Sequence, residues 1–154
     1  MKIEQIAFGA KDPIKIIELF KTTLGLTDWI EDEVSADGIV DGRAANNIAK
    51  LYFNYQWGIE LEILRYSSGA NWHQFRNPLD LPIFASHMGY HCTEEQAQEK
   101  IVQMYTCGIN VIQEVYTYKH TNPVIAGKRL YHYIVFDSLS LLGFDLKLIV
   151  RQNT

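Results

Sequence analysis

The chain has 154 residues, enough for one domain or for two small halves sharing a core, and its 47% hydrophobic and 21% charged content is that of a soluble globular protein. The formal net charge is −4 and no Lys/Arg run occurs, which excludes the basic face that nucleic acid or an anionic membrane surface requires. No signal-like segment opens the sequence, and no apolar run approaches the ~20 residues of a membrane-spanning helix, so a cytoplasmic location is expected.

The first element in chain order is a short strand over 3–9. Asp12 then suits a helix N-cap and Pro13 the first helical position. Ile16, Ile17, Phe20 and Leu24 recur at helical spacing, and Gly25 offers a left-handed stop. Strand-like segments follow at about 27–34, 47–56 and 58–66, with "SADGIVDGRAANN" at 35–47 read as an irregular interruption. The stretch 67–84, rich in turn residues and holding two prolines, reads as a linker. A strand over 86–92 comes next, then a helix opened by a Thr93/Gln96 capping box. Its buried stripe is expected to be Ala97, Ile101, Met104 and Tyr105, and Gly108 ends it. Three strands close the chain at about 109–118, 128–137 and 141–151.

The second half therefore repeats the first. Gln5 falls on His87 at an offset of 82, Gly25 on Gly108 at 83, and "GIELEILRY" from Gly58 on "GFDLKLIVR" from Gly143 at 85. The expected fold is α+β, with two tandem βαβββ modules (1–66 and 85–154, joined by the linker 67–84) whose curved sheets enclose a cleft. Strand alternation sends Glu60 and Glu62 to one face, and Asp145 and Lys147 to one face. Their apolar neighbours turn toward the helices. Charges repeated on an inward face would make a polar cavity, whereas the simpler alternative is a solvated surface.

The segments "IEQIAFGAKD", "TLGL", "ELEIL" and "SHMGYHC", in this duplicated order, resemble the vicinal oxygen chelate superfamily, which includes glyoxalase I, methylmalonyl-CoA epimerase, extradiol dioxygenases and bleomycin-binding proteins. The resemblance implies a cleft that holds a small molecule, a homodimer, and a metal ion bound by residues of the first and last strands of each module. Carried onto this chain, those positions are Gln5, Glu62, His87 and Lys147. Gln5, Glu62 and His87 are similar to the glyoxalase I pattern and would suit Zn, Ni, Co, Mn or Fe. Lys147 departs from it, because an ammonium has no lone pair for a metal. Three accounts stand side by side. Lys147 pairs with Glu62 and replaces the ion; or three ligands hold the ion with Lys147 neutral or swung away and acting on substrate; or a shift of two residues brings Asp145 to the fourth place. The implied functions are a metal-dependent lyase or isomerase working through an enediolate or enolate, with Glu62 and Lys147 catalytic, or a metal-free protein that sequesters a small aromatic compound. Extradiol dioxygenase chemistry is disfavoured by Gln5.

Other residues carry weaker signals. His73 in the linker and His120 in a loop with Asn122 and Pro123 read as solvated, and His91 as half-buried on the face of His87. In "RLYHYIVF" one of two faces lines the cleft, that of Tyr131 and Tyr133 or that of His132 and Ile134. Trp57 and Arg43 are weak site candidates. Cys92 and Cys107 fit no metal or disulfide spacing and are expected as reduced, buried small side chains. No GxSxG, P-loop, GxGxxG or HExxH motif occurs.

Overall fold

A computed structural model describes residues 2–68, 76–117, 119–120 and 130–152. The first half builds β1 (Gln5–Ala10), α1 (Pro13–Leu24), β2 (Ile30–Val40), β3 (Arg43–Asn54) and β4 (Glu60–Ser68). The second builds β5 (Ile83–Cys92), α2 (Glu94–Thr106), β6 (Val111–Thr117), the two-residue β7 (Lys119–His120), β8 (Leu130–Phe136), a single turn α3 (Leu139–Leu142) and β9 (Asp145–Gln152). His73, Asn122 and Pro123 lie outside the described residues.

Local chemistry sets the helix ends. The Asp12 carboxylate accepts from the Lys15 amide at 3.2 Å, and Gly25, at φ 68°, returns its N–H to the last turn of α1. At α2 the capping box is complete: Thr93 accepts from the Gln96 amide and the Gln96 side chain accepts from the Thr93 amide. Glu94 and Glu95 add favourable charge in the first turn. Ile16 and Ile17 of α1 pack on Ala10, Tyr52 and Ile63, while Ala97 of α2 packs on Ile134, Phe136, Leu148 and Val150. Leu24 and Tyr105 are exposed, contrary to the periodicity reading. Tyr105 stands roughly 80° around the helix from Ala97, at the margin of the buried stripe.

The strands run β3-β4-β1-β5-β9-β8-β6-β2, and β2 pairs back onto β3. Eight strands thus close into a barrel with α1 and α2 packed outside. The two halves meet at the antiparallel β1–β5 pair and again where β2 meets β6 over Gly38↔Val115, Ile39↔Glu114 and Val40↔Gln113. That second seam turns the expected cleft into the interior of a barrel that opens at a mouth. Gly38 permits it, because a Cβ there would overlap the backbone carbonyl of Glu114. Gly38→Val is expected to lower stability by about 1–3 kcal/mol. Hydrogen exchange should quicken along β2 and β6 and stay unchanged in α2; uniform loosening would show that the seam is not the weak point.

Two expectations about the connections are corrected. The stretch 35–47 is not irregular: β2 and β3 form a continuous hairpin from Ile30↔Phe53 to Val40↔Arg43. Asp41 (φ 48°) and Gly42 (φ 72°) make its two-residue turn, the left-handed geometry that Asp-Gly favours. The linker is shorter than 67–84, since β4 runs to Ser68 and β5 starts at Ile83. Cys107, at the end of α2, is exposed rather than buried, and Cys92 is half-buried. Among the described residues no helix is long and apolar enough to cross a membrane.

Candidate functional site

Period-two alternation sorts the central strands. Leu61 and Ile63 of β4, and Leu148 and Val150 of β9, are buried on the outer face. Gln5, Glu62, His87 and Lys147 project inward from the four adjacent strands β1, β4, β5 and β9 and line a cavity of about 560 Å³. All four are 8% exposed or less. The rest of the wall is mainly apolar and aromatic, with Phe53, Tyr66, Tyr131, Tyr133 and Ile149 among its members.

The polar pole is held from one side by Glu60. It accepts from the Tyr55 hydroxyl at 2.6 Å and from the Gln5 amide nitrogen. That fixes the Gln5 amide, leaving its Oε1 2.9 Å from His87 Nε2, while His87 Nδ1 lies 3.1 Å from Ser86 Oγ. Lys147 Nζ lies 3.2 Å from His87 Nε2, 3.9 Å from Glu62 Oε2 and 4.3 Å from the centre of the Tyr133 ring. Glu62 Oε2 is 3.4 Å from His87 Nε2, a long and poorly aligned contact, and among the described residues it has no better hydrogen-bond partner.

These contacts set protonation. Burial and then the Lys147 charge push His87 down to about 4, so its imidazole is neutral at pH 7. Burial alone would raise Glu62, but Lys147 and His87 outweigh it and hold the carboxyl below its ordinary range. The sign for His87 follows. Between its ordinary 6.5 and about 4 the unfolded chain binds a proton that the folded chain refuses. Stability therefore falls as pH drops through that window, by on the order of 3 kcal/mol in total. Urea unfolding at pH 7 and pH 4.5 should show the loss, and His87→Gln should flatten it; an equal slope in the variant would assign the loss elsewhere.

The donor set can be tested against a divalent ion. The separations of 2.9 Å (Gln5 Oε1 to His87 Nε2) and 3.4 Å (His87 Nε2 to Glu62 Oε2) suit three ligands sharing one ion with bonds of about 2.1 Å. The fourth corner is Lys147 Nζ, itself a cation within 3.2 Å of a ligand atom. An ion placed there would face an ammonium across the same small space. Among the described residues no three His, Cys, Asp or Glu side chains converge as a metal-binding group. The expected metal set of Gln5, Glu62 and His87 comes together in space, but with Lys147 charged it does not fit a divalent ion.

Asp145 does not take the fourth place. In the β5–β9 register Lys147 pairs with Gly89 and Asp145 with His87, and the Asp145 side chain is turned into a separate buried cluster. Arg76 Nε donates to its Oδ2 at 2.8 Å and Arg76 Nη2 to its Oδ1, while the Ser138 and Leu139 amides donate to Oδ1 at 3.2 and 3.1 Å. Arg76 also reaches Asp137 at 3.0 Å.

The β8 ambiguity resolves toward Tyr131 and Tyr133, which face the cavity and stack at 5.6 Å. His132 points away, bonded to Glu114 at 2.8 Å and stacked on Tyr116. His91 is exposed at the cavity mouth, and Arg43 and Trp57 are exposed away from it. Asn47 and Gln113 were missed by sequence reasoning. Both are buried and cavity-facing, and polar residues at inward positions of otherwise apolar strands were the available signal.

The paired βαβββ modules and the curved sheet closed into a barrel match the vicinal oxygen chelate fold. Among solved structures, a hypothetical protein from Bacillus halodurans matches with TM-score 0.55 and 10% identity over 99% of this chain and 96% of that one. Methylmalonyl-CoA epimerase from Mycobacterium tuberculosis, a member of that superfamily, matches with TM-score 0.51 and 10% identity over 96% of this chain and 86% of that one. At such identity these likenesses establish the fold. No protein-family model and no curated protein matches the chain.

Proposed function

We propose that this protein binds a small molecule inside the barrel and that the Lys147 ammonium supplies the positive charge that a metal ion supplies in glyoxalase-like relatives. The observation that carries this reading is the place of Lys147 Nζ, 3.2 Å from His87 Nε2 and 3.9 Å from Glu62 Oε2 at the fourth corner of the ligand set. The enclosed apolar wall then supplies most of the binding energy, and the pole supplies orientation. Elemental analysis of untagged protein, after incubation with Zn, Ni, Co, Mn and Fe and desalting, should find far less than one ion per chain. A chelator should leave the melting temperature unchanged. Near-stoichiometric metal that disappears in the Gln5→Ala/His87→Ala variant would overturn the reading.

A second reading is favoured by Glu62 Oε2, ionised, buried and without a hydrogen bond. Such a carboxylate is placed to remove a proton next to a ligand carbonyl. The electron pair of the broken C–H bond would move onto the carbonyl oxygen, and Lys147 would stabilise the resulting enolate. In that isomerase-type reaction Glu62→Gln would retain binding and lose turnover by about 100-fold or more. Exchange of the substrate's α-hydrogen for solvent deuterium measures it; exchange undiminished in Glu62→Gln would remove Glu62 as the base.

A further inference from the structure

Among the described residues two buried acceptors that face the cavity have no well-aligned hydrogen bond. One is Glu62 Oε2, on a side chain that is 3% exposed, with only His87 Nε2 at 3.4 Å and Lys147 Nζ at 3.9 Å near it. The other is Asn47 Oδ1, on a residue that is 4% exposed. Among the described residues the Asn47 amide nitrogen reaches only the Ala45 carbonyl, at 3.5 Å, and rotating the amide would set oxygen against that carbonyl. A buried acceptor left unpaired is costly, so both atoms call for a donor from the occupant of the cavity.

The two acceptors lie at different levels of the barrel. Glu62 pairs across to Phe53 on β3, six residues along the strand from Asn47, which is roughly 20 Å of strand. The wall between them includes Ala49, Leu51 and Tyr66. The charged side chains at the pole are Glu60, Glu62 and Lys147, two carboxylates to one ammonium, and no arginine lines the cavity among the described residues. The net charge of the pole is thus negative. A ligand carboxylate accepting from Lys147 would bring its second oxygen toward Glu62 and be repelled. A hydroxyl fits both groups, since its oxygen accepts from Lys147 and its hydrogen is donated to Glu62 Oε2 across the 3.9 Å that separates them.

We infer that the cavity selects an uncharged, elongated, largely apolar molecule with a hydroxyl at one end, bridging Lys147 and Glu62, and a second hydrogen-bond donor at the other, bound by Asn47. This rests on the metal-free reading of the site and narrows it from any small molecule to neutral donors.

The test uses three probes of one skeleton on metal-free wild-type protein: dodecane-1,12-diol, whose extended chain brings its two hydroxyls within hydrogen-bond reach of acceptors roughly 20 Å apart, its dimethyl ether, and the analogue with each hydroxyl replaced by a carboxylate. Titration calorimetry should give the diol at least about tenfold tighter binding than either of the others, because only it donates at both ends. Asn47→Leu should cost the diol about tenfold, whereas Asn47→Asp, which keeps an acceptor, should retain binding; this separates loss of the acceptor from loss of the fold. Equal or tighter binding of the dicarboxylate or the ether, or no binding of any probe, overturns the inference. Neither result touches the metal-free reading, which elemental analysis decides alone.

Discussion

Replacing Lys147 by glutamate is expected to convert the pole into a metal site. The variant would set two carboxylates, an imidazole and an amide oxygen around one point, on strands whose spacing is already that of a shared ion. Without metal it should be less stable than wild type, because Glu62 loses its cation and gains a buried like charge in its place. With Ni, Co or Zn at a hundredfold excess over its dissociation constant, binding to the folded state alone adds about 2.7 kcal/mol. Thermal unfolding should therefore show a metal-dependent rise in Lys147→Glu and none in wild type or Lys147→Gln. Mass spectrometry under native conditions should count one ion per chain in the glutamate variant only. Equal uptake by wild type would mean that Lys147 yields to the ion, and the account of Lys147 as its replacement would fall.

Arg76→Met should destabilise the protein by about 3–5 kcal/mol, the usual effect of removing one partner from a buried ion pair. Arg76 and Asp145 are almost fully buried, at 6% and 2% side-chain exposure, and the guanidinium is the fork that meets both oxygens of Asp145. Removing it leaves a carboxylate in the interior with only the Ser138 and Leu139 amides as partners. Arg76→Lys should recover little, since an ammonium cannot make the two parallel bonds. The double variant Arg76→Met/Asp145→Asn should lose less than Arg76→Met alone, because the stranded charge is gone while an acceptor for the amides remains. Urea unfolding measures all three. Additive losses in the double variant would deny the coupling.

The legible parts of the molecule were those written as periodicity. Alternation along β4 and β9 separated Glu60, Glu62, Asp145 and Lys147 from Leu61, Ile63 and Leu148 but left open whether the charged face was a cavity or solvated; in the structure Glu60, Glu62 and Lys147 line the cavity, while Asp145 turns to Arg76. The internal repeat, the two helix starts and the placing of Gln5 and His87 on the first strands of their halves were equally readable. The hairpin at 41–42 was readable in principle, but the glycines and asparagines around it look like loop residues, while the turn needs only Asp41 and Gly42. Arg76 was not readable, because its partner is 69 positions away and nothing local marks it out. The same holds for Asn47: whether a polar strand residue meets a partner or an empty acceptor site depends on side chains brought from other strands. Closure of the barrel at β2–β6 was invisible for a related reason, since it depends on the absence of a side chain at Gly38 beside another strand's carbonyl.

A cation carried by a side chain differs from one taken from solution in its occupancy. Lys147 is present in every copy of the chain from the moment of synthesis. A site charged in this way would not wait on metal supply, would not mis-load with a competing ion, and would not be emptied by a chelating host or medium. It would also give up the graded strength that exchange of one ion for another allows. Within a duplicated fold the trade would require a change at one of two equivalent positions, with Glu62 keeping the carboxylate in one half and Lys147 holding the counter-charge in the other.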